Sequence, residues 1–109
     1  MSDARIDRMT QYVAEMICRT DQSLAALPQA LAQNWPDVPA LELVVAMSLA
    51  AEGVEEVLGE DGESGMRAQQ VWKRAALLGA EVHHLALLGR PHATARDLLD
   101  YWYNEDEAG

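Results

Sequence analysis

The chain has 109 residues, the size of a single domain. Half of its residues are hydrophobic, but only 6% are aromatic and none is phenylalanine, so a core of Leu, Ala, Val and Met is expected. The formal net charge of −10 argues against nucleic acid or anionic membranes as partners, because both kinds of binding depend on Lys and Arg.

The apolar residues recur at steps of three and four through most of the chain, which predicts an all-α protein. A first helix is expected at about residues 3–19. A second, weaker helix carries Leu24, Leu27 and Leu31, and Pro28 should either kink this helix or start it.

Two long central helices are predicted at about residues 39–58 and 66–88. Pro36 and Pro39 mark the connector before the first of them, and Pro39 suits the first turn of a helix. The glycine- and acid-rich segment 59–65 is expected to be a mobile loop between the two. Gly89 is expected to end the second long helix.

A short last helix is predicted at about residues 95–103. Thr94 lies directly before this helix and Asp97 lies in its first turn, which is the spacing of a capping box. In a capping box, the side chain of each residue accepts a hydrogen bond from the backbone N–H of the other. The whole pattern predicts a four- to five-helix bundle, with shorter N- and C-terminal helices around the two long central ones. We expect one domain over residues 1–104 and an acidic, disordered tail at 105–109.

Motifs for common enzymatic chemistry are missing from the sequence. It has neither glycine-rich phosphate-binding pattern, no zinc-finger spacing and no hydrolase nucleophile motif, so no catalytic residue is predicted. Cys18 is the single cysteine and cannot form an internal disulfide, which fits a reducing, cytoplasmic compartment. We expect Cys18 to be a small buried hydrophobe of the first helix.

Both long helices carry apolar residues outside the faces that form the core. At about 100° per residue, Val45 and Leu49 fall away from the buried face of the first, as do Leu77 and Leu88 on the second. A domain of this size has few interior positions to accommodate them. We therefore predict that these four residues form a protein–protein interface, and a symmetric homodimer is the simplest arrangement.

The middle of the chain is strongly acidic, because no Lys or Arg occurs between Arg19 and Arg67. This segment is expected to be a solvated surface or a docking face for a basic protein partner. A regulatory protein whose acidic surface imitates nucleic acid is a further alternative. The cluster Trp72-Lys73-Arg74 is expected to form ion pairs with these acidic helices.

The alternative to a protein that acts only by binding other proteins is a helical bundle that binds metal ions. Glu81 and His84 form a Glu-x-x-His pair on one helix, and Glu52 and Glu56 are neighbours on another. Di-iron and di-manganese bundles use a Glu from each of two helices and a Glu-x-x-His from each of two others. One chain supplies half of such a set, so a two-fold dimer would complete a site for iron, manganese or zinc.

Overall fold

The structure, a computed structural model, describes residues 3–108, with side chains from residue 4 to residue 104. Within these residues the chain forms helices and no strands, so the predicted all-α fold is confirmed. The helices are α1 (Asp3–Cys18), α2 (Leu27–Asn34), α3 (Ala40–Leu58), α4 (Glu63–Leu87) and α5 (Ala95–Ala108).

The two long helices, α3 and α4, pack against each other along most of their length, and α1 packs on α3. The short connection between α3 and α4 makes them an antiparallel pair. α1 runs parallel to α3, because the two helices meet at both ends. Arg5 near the start of α1 forms a bidentate ion pair with Glu42 near the start of α3, and Arg67, which follows the end of α3, binds carbonyls at the end of α1. α2 packs mainly on α5.

The core is aliphatic, as the composition predicts, and no polar or charged residue among those described is buried in it. Its largest fully buried side chains are Met9, Val13, Ile17, Leu27, Leu31, Leu43, Met47, Val71, Leu78, Leu85 and Leu98. All five helices contribute to this set, so the elements form one continuous core.

Local sequence chemistry sets several of the helix ends. α2 begins at Leu27 with Pro28 in its first turn, so the proline starts this helix and does not kink it. Gly89 has a φ of 98°, and the N–H groups of Gly89 and Arg90 donate to carbonyl oxygens of the last turn of α4 at 3.1 and 2.9 Å. At α5, the Thr94 N–H donates to Asp97 Oδ2 at 2.9 Å, which confirms the capping box.

The structure differs from the expected bounds of α4 and α5 and from the expected burial of Cys18. α4 begins at Glu63, so the last part of the predicted mobile loop is helical. α5 continues to Ala108, past the predicted end at residue 103; the predicted tail at 105–109 extends beyond the described residues, and its disorder stays a prediction. Cys18 is exposed at the last residue of α1, because the buried face of that helix is formed by Met9, Val13 and Ile17.

No helix in the described part of the chain is both long enough and apolar enough to span a bilayer.

Candidate functional site

An open groove lies between α4 and α5, with residues of α2 at one side. Its volume is about 1100 Å³, and a smaller pocket of about 430 Å³ at Leu88 and Arg90 continues it, because the two share Asp100, Tyr101 and Tyr103. We call both parts together the α4–α5 groove. Small-molecule sites commonly have volumes of about 300–1000 Å³ and often lie between the helices of a bundle.

The lining of the α4–α5 groove combines apolar and charged side chains. Its larger apolar side chains are Pro28, Leu77, Leu78, Leu85, Leu88, Leu99 and Trp102. Its arginine, carboxylate and imidazole side chains are Arg74, Glu81, His84, Arg90 and Asp100. The groove therefore offers an apolar surface with a few polar positions.

Arg74 is the unusual member of this lining. It is half-buried, its Nε is buried, and no described residue accepts a hydrogen bond from that nitrogen. A buried donor without an acceptor costs about 1–3 kcal/mol. The ion pairs among the described residues use Arg5, Arg90 and Arg96, and none uses Arg74.

The prediction that the Trp72-Lys73-Arg74 cluster forms ion pairs with the acidic helices is therefore wrong for Lys73 and Arg74 within the described residues. Only Trp72 contacts an acidic residue of α3, where its Nε1–H donates to the Glu55 carboxylate at 2.8 Å. Arg74 is two residues further along α4, about 200° around the helix, and lines the α4–α5 groove instead.

Glu81 and His84 connect α4 with α5. The indole N–H of Trp102 donates to Glu81 Oε2 at 3.0 Å. The rings of His84 and Tyr101 have centroids 5.9 Å apart and planes tilted by 59°. The Glu-x-x-His pair therefore helps to hold α5 against α4.

The described residues of one chain do not assemble a metal site. Nowhere among the side chains described, from residue 4 to residue 104, do three or more His, Cys, Asp or Glu groups lie close enough together to hold a metal ion. Glu52 and Glu56 are exposed on α3, and neither lines the groove that contains Glu81 and His84. A site completed by a second copy stays a prediction.

The contact between Trp102 and Glu81 can be tested by mutation. Trp102→Phe keeps an aromatic ring but removes the donor, and it should lower the free energy of unfolding by about 1 kcal/mol. Urea denaturation of this variant, of Glu81→Ala and of the double mutant measures the coupling between the two residues. Strictly additive effects of the two single changes would show that the hydrogen bond does not contribute to stability.

The four residues predicted to form one interface lie on two surfaces. Leu77 and Leu88 line the larger and the smaller part of the α4–α5 groove, and their exposed fractions are 63% and 61%. Val45 and Leu49 line neither part, and they are exposed on α3 beside Leu41. Leu41 was missed, although its position four residues before Val45 places it on the same ridge of the helix.

The acidic middle of the chain is largely solvent-exposed. Glu52 and Glu56 at the end of α3 are exposed, as are Glu60, Asp61 and Glu63 around the connection to α4. None of the ion pairs among the described residues involves these carboxylates. They therefore form a solvated acidic surface, and a basic partner for it stays a prediction.

The position of Arg74 in the α4–α5 groove was not predicted, because it depends on how the helices pack and not on a local motif. Comparison with known proteins adds no assignment. No protein-family model matches the chain, and searches of the curated proteins and of the solved structures find no significant match.

Proposed function

We propose that this chain is a small, acidic, helical protein of the cytoplasm that acts by protein–protein association, and that a second copy binds to the exposed face of α3. The supporting observation is a row formed by Leu41, Val45 and Leu49, which we call the α3 stripe. These residues follow one another at intervals of four, and their exposed fractions are 57%, 38% and 46%. Single exposed leucines are common on protein surfaces, but a continuous apolar row is typical of an interaction site.

The α3 stripe suits pairing with itself. In a two-fold dimer each copy presents the same patch, and two α3 helices that cross can pack the ridge of one beside the ridge of the other. Glu52 and Glu56 lie toward the other end of the same helix. An antiparallel crossing centred on Val45 keeps these carboxylates of the two copies apart and leaves them free for a basic partner.

The test of this proposal is the oligomeric state of the wild type and of Leu49→Glu. At micromolar concentrations, light scattering and sedimentation should show a dimer for the wild type and a monomer for the variant. The reason is that the glutamate would place an unpaired charge against the apolar side chains of the second copy.

Two further variants make the test specific to the α3 stripe. Leu87→Glu changes a leucine of α4 that is 71% exposed and outside the stripe, so the dimer should persist. Leu77→Glu should also leave the dimer intact, because Leu77 lies in the α4–α5 groove. A wild type that is monomeric at every concentration tested, or equal dissociation of all three variants, would contradict the proposal.

A further inference from the structure

The α4–α5 groove combines an apolar wall with a guanidinium group that no described carboxylate neutralises. The chain contains 18 acidic and 8 basic residues, so a half-buried arginine has many possible partners. Arg5, Arg90 and Arg96 each pair with a carboxylate, and Arg67 donates to backbone carbonyls. Arg74 lines the groove, takes part in none of the ion pairs among the described residues, and its buried Nε has no hydrogen-bond acceptor among them.

This combination favours an anionic group of a ligand at Arg74. A charge beside apolar walls is less well solvated than one in bulk water, and the lower local dielectric strengthens its attraction to an anion. The planar guanidinium group also matches the geometry of a carboxylate or a phosphate. Glu81 and Asp100 line the same groove, so a multiply charged phosphate would be repelled more strongly than a single carboxylate.

The shape of the lining indicates what the carboxylate is attached to. Leu77 and Leu78 follow Arg74 on α4, and Leu99 faces the same space from α5. The groove continues toward Leu88, which lies about 20 Å from Arg74 along α4 at the rise of an α-helix. An elongated apolar chain fits this course better than a compact polar molecule does.

We propose that the α4–α5 groove binds a small amphipathic carboxylate of the medium-chain fatty-acid class. The carboxylate pairs with Arg74, and the hydrocarbon chain lies against Leu77 and Leu99. This site is separate from the α3 stripe, because Leu41, Val45 and Leu49 do not line the groove. Ligand binding and self-association can therefore fail or succeed independently.

The experiment is a titration of the full chain with decanoate, followed by NMR of the indole N–H of Trp102. Trp102 lines the groove, so its resonance should shift and saturate, whereas Trp35 and Trp72 should change little. Arg74→Gln should weaken decanoate binding by about tenfold or more, because it removes the charged partner of the carboxylate. Decanol has no carboxylate and should bind wild type and Arg74→Gln with similar affinity.

Matched variants distinguish a specific site from general electrostatic attraction. Lys73→Gln makes the same change of charge one residue away, at an exposed side chain that does not line the groove, and it should leave binding unchanged. Leu77→Gln should weaken both decanoate and decanol, whereas Leu87→Gln should weaken neither. If circular dichroism shows that Arg74→Gln is unfolded, Leu77→Gln and Leu87→Gln still test whether the hydrocarbon chain binds in the groove.

Three results would overturn the proposal. The first is the absence of a saturable decanoate shift at Trp102. The second is an equal loss of affinity in Lys73→Gln and Arg74→Gln. The third is an equal loss in Leu77→Gln and Leu87→Gln, because that would place the hydrocarbon chain outside the groove.

Discussion

Replacing Arg67 with alanine is expected to lower the free energy of unfolding by about 2–4 kcal/mol. The guanidinium group of Arg67 donates to four backbone carbonyls: Ile17 and Gln22 at 2.7 Å, Met16 at 2.8 Å and Arg19 at 2.9 Å. The last carbonyl groups of a helix find no N–H donor within the helix, and the partial negative charge at its C-terminal end favours a positively charged partner. Arg67 therefore caps α1 and ties the following loop to the start of α4.

Denaturant titration at a fixed protein concentration measures this loss. Arg67→Lys should recover little of it, because one ammonium group cannot match the spread of donors that the planar guanidinium offers to four acceptors. Lys73→Ala provides the control, since Lys73 is exposed and its change should stay within about 0.5 kcal/mol. Full stability of Arg67→Lys would show that positive charge alone, and not the hydrogen-bond pattern, is required.

Gly65→Ala is expected to lower the free energy of unfolding by about 2 kcal/mol or more, because the added methyl group would overlap the main chain. A Cβ atom at Gly65 would meet the carbonyl oxygen of Gly59 and would lie 2.8 Å from the carbonyl carbon and the Cα of Glu60. These are backbone atoms of the connection between α3 and α4, so relief requires the connection to move.

Gly79→Ala is the matched control for this prediction. It makes the same chemical change in the same helix, and apart from the adjacent residues and the backbone of α4 itself no atom lies within 4 Å of the added Cβ. It should therefore stabilise the protein by about 0.5–1 kcal/mol through helix propensity alone. Thermal or denaturant unfolding should give opposite signs for the two variants, and a stabilising Gly65→Ala would contradict the contact with the connection.

The helices and several of their ends could be predicted because the relevant interactions act within a few residues. α2 begins at Leu27, next to Pro28, because the fixed φ of proline suits the first turn of a helix, and Gly89 adopts the positive φ that ends α4. Thr94 and Asp97 bond to each other across three residues. Such interactions leave a recognisable pattern in the sequence.

The candidate sites could be predicted only in part. Exposure of Val45, Leu49, Leu77 and Leu88 follows from helical periodicity, and the structure agrees with it. Their division between the α3 stripe and the α4–α5 groove does not follow, because it depends on which neighbour covers each side of a helix. The same reason explains Trp72 and Arg74, whose positions around α4 place one against α3 and the other in the groove.

The sequence by itself therefore determined an all-helical chain with an aliphatic core, an acidic exterior and defined helix ends, because periodicity and capping are local. Only the tertiary structure decided that Arg67 binds the end of α1, that Arg5 pairs with Glu42, and that Arg74 lines a groove. The first two contacts join residues about 40 to 50 positions apart. Their partners are chosen by the packing and rotation of whole helices, which no local pattern encodes.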